Sequence, residues 1–270
     1  MATVPDDIRQ PYRLDDVPGW FHPLDQVLFE WLLTRQETDG HGGDLLEIGA
    51  YLGKSAIFLG GHVRTGEMLT VCDLFESQAP DDENSAELAI YSKHSTFTRK
   101  EFERNYLDFH DSLPRIIQAP SSTLSGKLKF DSCRFVHIDG SHLYHHVYED
   151  IATAHDVLLP GGIVAIDDIR EEHTPGVSIA AWEAVLQRDL RPVCLSSKKL
   201  YATWDDPQTI QDDLLDMLKK RGDCKIWVQQ AAGHRVVSIR SRGTMTPPCL
   251  LSKQPRTEPH RRFDPHGGAG

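Results

Sequence analysis

The sequence predicts a doubly wound α/β sandwich, a mostly parallel sheet with helices on both faces. Three observations carry that reading. Short, continuously apolar runs alternate with segments of helical spacing, as in strands buried on both sides. Glycines follow the first run at a strand-to-helix junction. Acidic residues close the second, fourth and fifth runs, where such sheets place their ligands. In chain order the strands are Leu45-Leu46-Glu47-Ile48, Met68 to Cys72, Arg115 to Gln118, Phe135 to Ile138 and Ile163 to Ile166, the last introduced by Pro160-Gly161-Gly162.

An amphipathic helix over Trp20 to Leu33 precedes the first strand, with Phe21, Leu24, Val27, Leu28, Trp31 and Leu32 on one stripe. Further helices are expected from about Gly53, over Tyr144 to Leu159 and over Val177 to Leu190. Lys225 to Val228 and Val236 to Ile239 read as late strands, paired antiparallel at an edge. The domain boundaries expected are one domain over 1–241, a polar insert or lid at about 76–111, and a tail over 242–270 whose Pro, His, Arg and Gly content predicts disorder.

The formal net charge of −11 argues against nucleic acid, which needs clustered Lys and Arg. No run approaches the roughly 20 apolar residues of a membrane span, and Asp6, Asp7 and Arg9 leave no room for a signal-peptide apolar core. Five scattered cysteines without CxxC spacing read as reduced packing residues. Together these point to the cytoplasm.

The segment Glu47-Ile48-Gly49-Ala50-Tyr51-Leu52-Gly53-Lys54-Ser55 leaves a strand and opens a helix. Its glycines admit close approach of a ligand to the backbone, and the helix start offers unpaired N–H groups. The spacing is neither GxGxxG nor GxxxxGK[ST], which argues against a nicotinamide dehydrogenase. An acid at Glu47 would repel a pyrophosphate but suits a cationic amine or sulfonium. Asp73, closing the second strand about twenty residues on, stands where an acid accepts ribose hydroxyls. ExGxxxGxS followed by such an acid resembles the cofactor site of class I S-adenosylmethionine (SAM) methyltransferases. The resemblance implies Gly49 and Gly53 beneath the cofactor, Tyr51 and Ser55 at its methionine part, Glu47 nearby, Asp73 on the ribose, and Ser121 and Ser122 flanking the adenine.

The chemistry is expected from Ile138-Asp139-Gly140-Ser141-His142 and Ile166-Asp167-Asp168. Neighbouring parallel strands lie about 4.8 Å apart, so their ends gather Asp139, Asp167 and Asp168. Crowded carboxylates repel unless a proton or cation intervenes, and oxygen ligands select Mg²⁺ or Ca²⁺, with Mn²⁺ as an alternative. Asp167 and Asp168 share one ion only if the strand has already ended there. His142, three residues after Asp139, is the candidate base, with Asp139 beside it as a catalytic and cofactor-facing residue. His145 and His146 read as surface or packing residues. IDGSH, a YxxxxED helix and LLPGGxxxxDD together resemble the metal-dependent macrocin and mycinamicin sugar O-methyltransferases, whose relatives include mycobacterial mannoside O-methyltransferases. This likeness runs from about Trp20 to Trp204. It implies that Asp139, Asp167 and Asp168 bind Mg²⁺, that His142 takes the proton, that a saccharide or glycoside accepts the methyl group, and that the protein assembles as a dimer or larger homo-oligomer. The weighed alternatives are a catechol-type O-methyltransferase, with Phe97, Phe102, Tyr106 and Phe109 as an aromatic clamp, and a non-catalytic SAM-binding module. Arg170 to Pro175, including His173, is expected near the acceptor.

Overall fold

The computed structural model describes residues 11–91 and 98–253. One nine-stranded sheet runs through it in the order β3-β2-β1-β4-β5-β7-β6-β9-β8. The strands are β1 (Asp44–Ile48), β2 (Leu69–Asp73), β3 (Arg115–Gln118), β4 (Cys133–Ile138), β5 (Leu158–Ile166), β6 (Arg191–Leu195), β7 (Leu200–Thr203), β8 (Cys224–Ala231) and β9 (His234–Ser241). The first five pair in parallel, β7 enters antiparallel between β5 and β6, and β8 pairs antiparallel with β9 at the edge. The Rossmann-like doubly wound architecture is therefore present.

Helices α1 (Pro23–Thr38), α2 (Lys54–Gly60), α3 (Asp82–Tyr91), α4 (Arg99–Phe109), α5 (Tyr144–Val157), α6 (Pro175–Gln187) and α7 (Gln208–Arg221) join the strands. Two apolar cores flank the sheet. One packs Leu28, Phe29 and Leu32 of α1 with Phe58 of α2 and Phe102 of α4; the other packs Val147 and Ile151 of α5 with Ala180 and Ala184 of α6. The helix expected from Trp20 begins at Pro23, where proline fits the first turn. Strands β6 and β7 and helix α7 have no counterpart in the sequence reading. The polar insert contains α3 and α4 rather than open loop; Phe97, one of the expected clamp aromatics, lies outside the described residues, while Phe102, Tyr106 and Phe109 are buried in the core. Described residues beyond Arg242 also depart from the expected disordered tail. Met245 is buried, Leu251 pairs with Arg13, and Lys253 donates to the His110 carbonyl and to Asp111. Those contacts bind a polar segment by its backbone and one charge, which composition does not reveal. Residues 254–270 lie outside the described residues.

At the amino end of the sheet, the fully buried Arg134 of β4 ties three elements together. Its guanidinium donates to Glu67 at 3.2 and 3.1 Å, to Gln36 of α1 and to the His62 carbonyl. Glu67 also accepts from Arg64 and the Gly43 amide. Burial works against the Glu67 charge, but these donors outweigh it and hold the pKa at about 2. A folded-state pKa below the unfolded value of 4.5 contributes stability that is present above the unfolded pKa and lost as pH falls through the folded one. Glu67→Gln, which leaves Arg134 buried beside a neutral partner, is expected to lower unfolding stability by about 3 kcal/mol or more at neutral pH. Urea denaturation checks both points: stability of the parent should fall more steeply than that of the variant between pH 4.5 and about 2.

Candidate active site

Strand register brings the site residues level. Cys72, Ile48, Ile138 and Ile166 are paired across β2, β1, β4 and β5. The residue after each one (Asp73, Gly49, Asp139 and Asp167) therefore leaves the carboxyl edge of the sheet at one height. Backbone bonds continue the ladder there, from the Gly49, Asp139 and Asp167 amides to the Cys72, Ile48 and Ile138 carbonyls at 2.8, 2.7 and 2.9 Å. The row crosses the switch point between β1 and β4, where ligands bind in open α/β sheets.

A cavity of about 750 Å³ opens over this row. Of the residues expected at the cofactor, Gly49, Tyr51, Ser55, Asp73, Ser121, Ser122 and Asp139 line it. Gly49, at φ +83°, has no room for a side chain: a Cβ would stand 2.0 Å from the Asp139 carbonyl oxygen. Asp73 accepts from the Ala50 and Tyr51 amides at 2.6 and 3.0 Å, which ties the glycine turn to β2. Two expected residues do not reach the cavity wall. Gly53, at φ +93°, caps α2 and faces Phe102, so its missing side chain serves packing. Glu47 is wholly buried beneath the row, because its side chain projects among core groups, and burial pushes its pKa up to about 8.

Glu47 belongs to a buried polar chain that the sequence did not announce. Lys199, fully buried at the β6–β7 turn, contacts Asp167 and donates to His137 Nε2 at 2.9 Å. That bond places the remaining ring proton of His137 on Nδ1, which donates to Glu47 at 2.8 Å. Burial and the neighbouring ammonium hold the His137 pKa well below its ordinary value. For Lys199, burial opposes the charge, and Asp167, Asp139 and Asp25 outweigh it and raise the pKa. Neither Lys199, in a polar Ser-Ser-Lys-Lys run, nor His137, inside an apolar strand, carries a local motif.

Asp139, Asp167 and His142 line the cavity together with Asp168. Strand β5 has ended at Ile166, and Asp168 takes a left-handed φ of +56°, so both consecutive aspartates reach the same space. Asp168 Oδ2 meets His142 Nε2 at 2.9 Å, and Glu87 of α3 stands 2.9 Å from His142 Nδ1. Burial disfavours the imidazolium, but Asp168 and Glu87 outweigh it and raise its pKa to about 10. Glu87 also accepts from the Ser141 hydroxyl and the His142 amide. The insert's charge pattern did not single it out either.

The oxygen-only set Asp139, Asp167 and Asp168 has the chemistry of a hard divalent site. Asp139 Oδ2 lies 3.9 Å from both Lys199 Nζ and His137 Nε2, too far for a hydrogen bond. Burial and the adjacent carboxylates, Asp167 foremost, push its pKa well up, outweighing the Lys199 ammonium nearby. Asp167 differs: its oxygens already engage the Asp168 amide and Lys199. Ligand atoms of His137, Asp139 and Asp167 lie within 4.8 Å of one another. Such a cation would thus be held by Asp139 together with Asp167 or Asp168, whose carboxylates it would share with their present partners Lys199 and His142. Lys199→Met removes the buried cation and leaves Asp167 uncompensated, and is expected to cost about 3–5 kcal/mol. Adding Asp167→Asn should recover part of that loss in urea unfolding, since the two changes share one interaction.

Residues 46–169 match the family model described as "Methyltransferase domain". No curated protein matches the sequence. Among solved structures, the O-methyltransferase NovP is similar at 18% identity and a TM-score of 0.52, over 66% of this chain and 78% of that one. The calicheamicin methyltransferase CalS11 is similar at 16% identity and a TM-score of 0.47, over 69% and 82%. Residues 46–169 are a methyltransferase domain on the Rossmann-like class I fold, and the protein is a methyltransferase enzyme.

Proposed function

We propose that this methyltransferase transfers the methyl group of SAM to a hydroxyl of a saccharide or sugar-containing metabolite, assisted by Mg²⁺ or Mn²⁺. The observation that carries the reading is the level row itself: the glycine turn and Asp73 line the same cavity as Asp139, Asp168 and His142. The turn supplies a cradle that a Cβ at Gly49 would fill, suited to a ligand lying against the backbone. Ser121 and Ser122 extend the same wall.

At the chemical end, Glu87 and Asp168 hold the His142 ring between them. With both carboxylates free His142 keeps its proton near neutral pH, so its action as a base needs one of those charges offset. A divalent cation held by Asp139 and Asp168 would supply that offset and lower the pKa of an acceptor hydroxyl. His142 then accepts the hydroxyl proton while the cavity walls align oxygen and methyl group for in-line displacement. Glu171, His173 and Lys198 line the acceptor side and offer hydrogen-bonding groups to a polyhydroxylated molecule. The insert aromatics Phe102, Tyr106 and Phe109, needed as a clamp for a phenolic acceptor, are committed to the core.

The test is transfer of labelled methyl from SAM to a panel of free and partly methylated saccharides, with Mg²⁺ or with EDTA. Transfer is expected to require the cation, to vanish in Asp139→Asn, and to fall by about 10²–10⁴ in His142→Gln. Transfer undiminished by EDTA would overturn the metal assignment. Labelling of catechols instead, or cofactor binding with no turnover on any acceptor, would overturn the acceptor assignment.

A further inference from the structure

We propose a second metal site, of the Zn²⁺ class, formed by Asp81, His145 and His146 where the insert meets α5. One ligand atom from each residue lies within 4.8 Å of the other two. The two histidine rings are adjacent, with centroids 4.2 Å apart.

Hydrogen-bond accounting around Ser141 fixes how His146 faces this cluster. The Ser141 hydroxyl donates its one proton to Glu87 at 2.7 Å, and Glu87 is ionised, since its donors outweigh burial and hold its pKa at about 2. Ser141 Oγ accepts from the Leu143 amide at 3.2 Å. Its contact with His146 Nδ1, at 2.9 Å, must therefore also be one it accepts, so Nδ1 carries the proton. A neutral His146 consequently turns the lone pair of Nε2 towards Asp81 Oδ2, 3.2 Å away. Two acceptors do not face each other stably without a proton or a cation between them. Ligands at 2.0–2.1 Å on a tetrahedral ion stand about 3.3 Å apart, close to the 3.2 Å between His146 Nε2 and Asp81 Oδ2. Ser141 then plays the usual outer role, accepting from the other nitrogen of a ligating histidine. Asp81 is itself held by the Asn84 amide at 2.8 Å, at the start of α3.

Two imidazoles and one carboxylate select a borderline ion, whereas the oxygen set of Asp139 and Asp168 selects a hard one. The second ion would clip the start of α3 to α5, and Glu87 of α3 is the group that holds His142.

The experiment titrates Co²⁺ into the full chain at about pH 8, where a free imidazole is neutral, with excess Mg²⁺ present and the exposed Cys249 changed to Ser. Visible absorption and equilibrium dialysis report occupancy, and amide exchange reports α3. One Co²⁺ per chain is expected, displaced by Zn²⁺ and not by Mg²⁺, with affinity at least about tenfold weaker in His146→Ala and Asp81→Asn and unchanged in Asp139→Asn. Exchange in α3 should slow when Zn²⁺ binds. Absence of saturable binding, or binding that survives His146→Ala, overturns the site. Unchanged exchange in α3 on Zn²⁺ binding overturns the clip.

Discussion

The ammonium of Lys199 is buried among acids, and much of the carboxyl edge of the sheet is organised around it. A lone buried charge is expensive, and so is each carboxylate near it; the cluster holds because each group offsets another. Strand β7 must run antiparallel for the β6–β7 turn to fold back over the ends of β4 and β5. Ser196 closes that turn, with its amide donating to the Lys199 carbonyl and its hydroxyl accepting from the Lys199 amide, both at 2.9 Å. Lys199 then occupies the space between Asp167 and His137, and Glu47 becomes the last member of the chain rather than a residue facing a ligand.

The protein separates stability from chemistry along the strand axis. At the amino end, Arg134 and Glu67 are saturated with partners that belong to the fold. At the carboxyl end, Asp139 is crowded by acids, with the Lys199 ammonium at 3.9 Å and no hydrogen bond to it, and Asp168 bends out of the regular backbone. Groups left short of partners in this way are where local rules yield to function. The two poles lie on the same strand, since Arg134 and Ile138 both belong to β4.

The central strands and the acids at their ends were legible in the sequence because buried parallel strands read as continuous apolar runs and strand ends are fixed to within a residue by Gly49, Asp139 and Asp167. What escaped was long-range. Strands β6 and β7 are short and interrupted by Pro192 and a polar turn, so their apolar signal is weak. Lys199 meets His137 across 62 residues of sequence and Glu87 meets His142 across 55. No local spacing encodes such meetings. Glu47, expected near the cofactor, lies buried beneath the cavity wall for a related reason. Its motif resembles a ligand-facing acid, yet the partner that claims it, His137, sits on another strand.

Asp73 illustrates how tightly recognition and architecture are wired together here. Its carboxylate answers three amides, those of Ala50, Tyr51 and Phe75, before any ligand arrives. A redesign of this cavity cannot treat this aspartate as an independent dial, because changing it would slacken the glycine turn and the exit of β2 together. The serines at 121 and 122 border the same space with fewer structural obligations. The cavity's tolerance of change is therefore lopsided, with more freedom at Ser121 and Ser122 after β3 than at the acid that closes β2.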